Sequence, residues 1–361
     1  LKSDHIIGPQ ISAMSKHTSP SPFMFDDEPQ EIIRIVDLCS RYSAVAKYYL
    51  NHKSYRSRSV HIMTIDIEPD LEDLLKEQFT AEQLTSIEIV VKDLSQVTRA
   101  YIEAILEERW GCTLDEIHHI HWSPPCTTYS GIQKSKSVHR PYTDGIPGEL
   151  SPEAVAHDRL VNNMSCVLDE IAQSSPNILI SIENPADELK NHFLKTVGIS
   201  SLIRNGRWRR HRANYCTNTD TYNDDGSRNE DSIDSRFENW AMKPTNFIVH
   251  GTTEQFAFEQ CSFTNCHYCY RPDGLDLLRH NVSLRTDGKT PPGQTLVKSE
   301  VQRNAIPAGI FHAMALDHTV WLRERTQVDP HHCFQCSAIN ISAPLTAAQR
   351  RWVVLHHKLG H

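Results

Sequence analysis

His121-Trp-Ser-Pro-Pro-Cys126-Thr-Thr-Tyr-Ser130 is the stretch on which the reading of this chain turns. An apolar, β-branched approach through Ile117, Ile120 and Trp122 runs into two prolines. The approach suits a strand, and Pro124 and Pro125 must end it, because proline cannot donate to a sheet ladder. Cys126 is thereby set on the turn beyond a strand end. In an open α/β sheet that edge is where ligands collect. A thiol there is a candidate nucleophile, provided that its proton has a way out. Taken alone, such a cysteine is ordinarily a small buried apolar residue.

A second stretch changes the balance. Asn177-Ile-Leu-Ile-Ser-Ile-Glu183-Asn184-Pro185 has the apolar run of a buried strand and ends in a carboxyl, an amide and a proline. One helix-length segment separates it from the Cys126 strand. Ser151-Pro152-Glu153 caps that segment, a helix predicted to reach about residue 173. Two successive parallel strands then bring a thiol and a carboxylic acid to one edge of the sheet. The pair suits attack on an electron-poor ring: the thiolate adds while the acid holds a ring nitrogen.

Pro124-Pro125-Cys126 followed by Glu183-Asn184-Pro185 resembles the DNA (cytosine-5)-methyltransferase family, in its compact phage-like branch. The resemblance covers roughly residues 32–322. It implies an α/β fold: a Rossmann-like S-adenosylmethionine-dependent methyltransferase sheet, with helices on both faces and a small Cys/His-containing C-terminal region. It implies double-stranded DNA as partner and a cytosine flipped from the duplex as substrate. Cys126 would add to C6 and Glu183 would hold N3, with Pro125 and Asn184 completing the two catalytic motifs. The rival expectation is a catalytically degenerate methyltransferase fold that binds DNA or a partner.

The cofactor half of the reading comes from the N-terminal strands. Glu31-Ile-Ile-Arg-Ile-Val-Asp37-Leu-Cys39-Ser40 is a predicted strand that opens into a helix over residues 43–50. In the family this turn carries two glycines that let the backbone approach the methionine part of the cofactor. Here Arg41 and Ser43 stand in their places, while Asp37 and Ser40 match. Strands are also predicted over Ser59–Asp66 and Ile87–Val91, followed by a helix over about residues 97–110. Asp66 ends the first of these, where such a fold binds ribose hydroxyls. The resemblance gives Asp93 the adenine amino group.

Basic residues mark the expected DNA contacts. Lys134, Lys136, His139 and Arg140 lie on the loop after Cys126, which resembles the loop that closes over a flipped base. Asp158 and Arg159 fall where the family often has polar contacts to the site. Arg204, Arg207, Arg209, Arg210 and Arg212 form the most basic run of the chain. Tyr215-Cys216 and Lys243-Pro-Thr245-Asn246-Phe-Ile resemble two halves of one family motif. An acidic Asn/Asp/Ser-rich stretch, residues 217–239, splits them and is predicted to be a disordered surface loop. Lys243 and Thr245 join the DNA-contact candidates. Lys243 or Asn246 holds the place of the family arginine that grips the cytosine carbonyl oxygen.

Cys261-x4-Cys266-His267-x-Cys269, with His280 beyond it, could ligate a structural zinc ion through Cys261, Cys266, Cys269 and His280. Plain loop cysteines are the other reading. Residues 251–298 would then be a small target-recognition region, with a helix within residues 299–325 returning to the catalytic core of residues 31–250. The tail, residues 326–361, holds a second candidate cluster, His331-His332-Cys333-x2-Cys336. Its last segment resembles the pre-integrase segment of copia-type retrotransposon polyproteins through Leu355-His-His-Lys-Leu-Gly-His361.

Composition bounds the rest. The chain of 361 residues suffices for one large domain and a smaller one. A net charge of -8 excludes a generally basic nucleic-acid coat but leaves room for a local basic face. No apolar run is long enough for a membrane span, and no signal-peptide layout opens the chain. The ten cysteines are not spaced as a secreted disulfide framework, so an intracellular location is expected, nuclear in a eukaryote. Residues 1–30 are polar, Ser/Pro-rich and read as a flexible leader.

Overall fold

Strand β1 (Ile32–Leu38) sends Ile33 and Ile35 to one face and Val36 and Leu38 to the other. It pairs in parallel with β2 (Ser59–Asp66) on one side and β4 (His119–Trp122) on the other. Parallel strands bury both faces, which is why their sequences are almost continuously apolar. β3 (Ile87–Val91), β5 (Leu179–Pro185), β6 (Trp208–Asn214) and β7 (Pro244–His250) complete a seven-stranded sheet in the order β3-β2-β1-β4-β5-β7-β6. β7 runs antiparallel to both β5 and β6, so one edge of the sheet closes with a reversed hairpin.

This computed structural model describes residues 32–39, 41, 43–129, 139–140, 142–143, 146–186, 192–221, 229, 232–238, 240–264, 266–270, 279–280, 282–283, 294–296 and 304–328. The leader, Ser40, Lys134, Lys136 and the tail from residue 329 onward lie outside them.

Two apolar layers sandwich the sheet. On one face pack α1 (Ala44–Asn51), α2 (Leu71–Lys76), α3 (Ala81–Leu84) and α7 (Ala308–Val328), through Val45, Tyr48, Leu71, Leu75, Leu84, Ile310 and Phe311. On the other pack α4 (Arg99–Trp110), α5 (Pro152–Ser174) and α6 (Val197–Arg204), through Ile102, Leu106, Val161, Leu168, Ile171 and Leu202. α5 shows why these segments are helical. Ala154, Val161, Met164, Leu168 and Ile171 recur at helical spacing and are buried. The Ser151 hydroxyl caps the helix by accepting the Ala154 N–H, and Pro152 starts it. The expected fold class, with helices on both faces and a small Cys/His-containing C-terminal region, is the one observed.

The acidic stretch of residues 217–239 is described only in part. Among its described residues Thr221, Ser232 and Asp234 are buried. Asp234 accepts hydrogen bonds from the Ala308 and Gly309 backbone at 2.8 and 3.2 Å, anchoring the start of α7. No described helix is long and apolar enough to cross a membrane.

Candidate active site

The carboxyl ends of β1 to β5 open on a cleft of about 840 Å³. Cys126, Glu183 and Lys243 line it, together with Pro125, Asp66, Asp93 and Arg41. The register explains the convergence. β4 and β5 are parallel with Trp122 opposite Ile182, so Glu183 lies level with Ser123, where β4 has ended and β5 still pairs with β7. Cys126 follows three residues on, beyond the two prolines. β7 lies beside β5 in the opposite direction, so its beginning, preceded by Lys243, reaches the same edge.

Burial pushes the Cys126 thiol above its ordinary range; the Lys243 ammonium pulls it down and the Glu183 carboxylate pushes it up. Removing the thiol proton therefore depends on the lysine. The Tyr215 hydroxyl donates to Glu183 Oε1 at 2.7 Å from a fully buried ring. Lys243 Nζ lies 5.1 Å from the centre of that ring. β6 and β7 pair with Asn214 opposite Pro244, which brings Tyr215 and Lys243 together across the intervening insert. The two motif halves are thus rejoined in space.

The described residues on either side of the loop after Cys126 are fastened to α5. Arg140 Nη1 and Nη2 reach the two Asp158 oxygens at 3.1 and 2.6 Å, and Arg140 Nε donates to the Thr128 carbonyl at 2.9 Å. The Tyr129 hydroxyl donates to Asp158 at 2.6 Å. Arg140 is only 6% exposed, so it anchors this loop internally instead of meeting phosphate. Asp158→Ala would leave the buried guanidinium unpaired. That substitution should cost about 3 kcal/mol, read as a lowered midpoint in urea unfolding; an unchanged midpoint would refute the clamp.

The other expected site residues separate into groups. Asp66 and Asp93 stand at the cleft wall beside β2 and β3. Burial raises the Asp66 carboxyl, while the Glu68 and Ile67 backbone N–H groups and Arg41 pull it back. The Asp93 carboxylate accepts the Ser95 N–H at 2.8 Å. Asp37 is fully buried and outside the lining, as is Asn184, whose carboxamide makes no hydrogen bond among the described residues. Ser43 keeps a left-handed backbone, φ 40°, of the kind a glycine adopts freely. Cys39 is also left-handed, φ 52°. Of the two places that carry glycine in the family, Ser43 therefore keeps a glycine-like backbone and Arg41 does not.

The basic candidates are mostly engaged within the chain. Arg207 pairs with Asp169 at 2.9 Å and Arg209 with Glu254 at 3.0 Å. Arg210 Nε donates to Asn246 Oδ1 at 3.0 Å. Thr245 is fully buried and donates to the Lys243 carbonyl at 3.3 Å, so it presents nothing to a duplex. Lys243 faces the cleft with Cys126.

Of the late Cys/His residues, Cys261, Cys266 and His280 come together with Cys216, which belongs to the Tyr215-Cys216 motif half. Cys269 lies within reach of the Cys266 thiol but outside that group of four. Nothing in the spacing of the late cluster points back to Cys216, which lies on the far side of the insert and of β7.

No family model matches this chain, and no curated protein matches it. Among solved structures it aligns with the Dnmt2 methyltransferase of S. pombe at 13% identity, over 63% of this chain and 52% of that one, TM-score 0.34. It aligns with a Spodoptera frugiperda DNMT2 mutant at 13% identity, over 63% and 55%, TM-score 0.35. The Entamoeba histolytica methyltransferase EhMeth gives 14% identity, over 63% and 55%, TM-score 0.35. The chain spans about half the length of these structures.

Proposed function

We propose that this protein is an S-adenosylmethionine-dependent DNA (cytosine-5)-methyltransferase. What carries the reading is one cleft that holds a thiol, a carboxyl and an ammonium at one end and the strand-end acids Asp66 and Asp93 at the other. Its volume, about 840 Å³, lies within the range of ligand pockets, roughly 300–1,000 Å³. The donor set suits an adenosine: Asp66 for the ribose hydroxyls and Asp93 for the adenine amino group.

Bound there, S-adenosylmethionine supplies an electrophilic methyl group. Cys126 loses its proton to solvent beside the Lys243 ammonium. Its Sγ forms a bond to C6 of a cytosine flipped from duplex DNA. Glu183 holds a proton at N3 as negative charge spreads into the ring, and the Tyr215 hydroxyl fixes the Glu183 oxygen that it touches. Once C5 has taken the methyl group and given up its proton, the Sγ–C6 bond breaks and the thiolate is restored. Transfer of labelled methyl to cytosine C5 in mixed-sequence duplex DNA tests the reading; no label from a protein that binds the cofactor would overturn it. Tyr215→Phe removes one hydrogen bond to a carboxylate. It should lower kcat about tenfold or more, in line with the ~1.5–3 kcal/mol of a charged hydrogen bond. A kcat equal to that of the parent would show that Tyr215 does not orient Glu183.

Arg41 favours a second reading, a degenerate fold that binds DNA or a partner without catalysis. It lines the cleft close enough to Asp66 to lower that carboxyl, in the place of a family glycine. Calorimetric titration with S-adenosylmethionine separates the two: no binding heat and no methyl transfer is the outcome that the degenerate fold requires.

A further inference from the structure

We propose that Cys216, Cys261, Cys266 and His280 form a structural zinc site. It is independent of the methyltransferase reading, because none of the four lines the cleft. Their ligand atoms all lie within 4.8 Å of one another. His280 Nε2 is 3.3 Å from Cys261 Sγ and 3.8 Å from Cys216 Sγ. A tetrahedral ion with bonds of about 2.0–2.3 Å separates its nitrogen and sulfur ligands by about 3.6 Å, so the two distances bracket the edge such an ion requires. Cys216, Cys266 and His280 are 3%, 8% and 6% exposed, so three of the four are shut away from water.

The ligands come from separate parts of the chain. Cys216 sits in the turn directly after β6, and Cys261 and Cys266 lie beyond β7. His280 stands in a two-residue antiparallel ladder opposite Cys269. Among its described residues, the segment between β7 and α7 has no regular structure beyond two-residue strands. A segment with so little ladder gains more from a staple than from packing, and a bound metal supplies one. Zinc would displace the three thiol protons to solvent and bind three thiolates and a neutral imidazole. Cys216 also directly follows Tyr215, so the staple would hold the backbone from which that hydroxyl reaches Glu183.

Elemental analysis of the purified full chain tests the site. The tail cluster could carry metal of its own, so the readout is the difference between variants. Cys216→Ser and Cys261→Ser should each hold one zinc equivalent fewer than the parent, and Cys269→Ser should hold as many as the parent. Cobalt replacement gives a second, spectroscopic readout, and Cys269→Ser controls for general disruption of the segment. The thiolate-to-cobalt absorption of the refilled parent should weaken in Cys216→Ser and persist in Cys269→Ser. A parent without zinc, a Cys216→Ser protein with the parent's zinc and cobalt spectrum, or a Cys269→Ser protein that loses one equivalent each overturns the assignment. So does a parent in which mass spectrometry finds Cys216 and Cys261 joined as a disulfide.

Discussion

Cys126→Ala should lower methyl transfer to duplex DNA by at least about 10³-fold, the scale on which removal of a covalent nucleophile acts. The thiol does what no neighbour can. It forms the bond to C6 that makes C5 reactive, and Glu183 and Lys243 work only on the ring that this bond has charged. The fold should survive, because a half-buried cysteine shortened to alanine loses one sulfur and leaves both flanking prolines in place. Thermal unfolding and S-adenosylmethionine binding should therefore match the parent. Appreciable C5 methylation by the variant would sink the assignment of Cys126. The pH profile adds an independent check. Burial holds the thiol above its ordinary range, so the thiolate fraction, and kcat/KM with it, should rise with pH between about 7 and 9, up to tenfold per unit. Lys243→Met removes the cation that draws this thiol down. It should cost a constant factor while the thiols of both proteins are mostly protonated and progressively less above the parent's thiol pKa, so that the rise of kcat/KM moves to higher pH; a loss that leaves the position of the pH profile unchanged would assign Lys243 to binding.

The thiol and the carboxyl were legible in sequence because each lies near a strand end that proline marks, Cys126 just beyond β4 and Glu183 near the end of β5. Burial made β2 largely apolar over residues 62–65, and β3, at the sheet edge, is still largely β-branched, so Ser59–Asp66 and Ile87–Val91 could be read at their observed bounds. What stayed hidden depends on partners that are distant in sequence. Arg140 reads as a phosphate contact because its loop is basic, and only the placement of α5 reveals Asp158 as its partner. Thr245 reads as a surface polar residue, yet it sits in a strand between β5 and β6, where both sides are covered. Asp234 lies in a stretch whose composition says disorder. Composition cannot show a carboxylate that takes the first backbone N–H groups of a helix 74 residues further on. Cys216 was obscured in the same way, since the insert and a whole strand separate it from Cys261.

Acid should unfold this protein at a pH where most globular folds persist. Burial lowers His121 to about 3, and His52, His211 and His312 to about 4, and holds His119 well below its ordinary value. His119 and His121 share Ser181 Oγ at 2.8 Å each, and Tyr49 and Ser123 close the two ends of the chain. Phe311 packs against both imidazoles. Neutral rings satisfy this network, and no described salt bridge offers either ring a carboxylate. His52 and His312 face each other with ring centres 4.4 Å apart, so a charge on one opposes a charge on the other. His318 differs: a carbonyl oxygen lies at each ring nitrogen, at 2.7 and 3.1 Å, and a charged ring would satisfy both.

An unfolded histidine titrates near 6.5. Below that pH the unfolded chain binds protons that the five buried rings refuse, so stability falls as pH falls, down to about 4. Asp66, Asp234 and Asp317 work the other way. Burial raises all three, so folding takes up protons there as pH falls. Burial also lowers His61, His157, His250 and His280, so the imidazoles held down outnumber the three carboxyls by at least two, a slope of about 3 kcal/mol per pH unit or more. A stability of about 5–15 kcal/mol is exhausted within a few units at that slope, and the larger part of the loss lies between about pH 6 and 4. Circular dichroism along a pH titration at constant ionic strength should show a cooperative transition in that window. His312→Gln keeps a polar partner for the Tyr48 hydroxyl and removes one proton from the count. Its transition should be shallower and lie at lower pH. A parent that keeps its near-ultraviolet signal at pH 4, or a His312→Gln protein that unfolds at the same pH with the same slope, would show that the buried imidazoles do not set its acid limit.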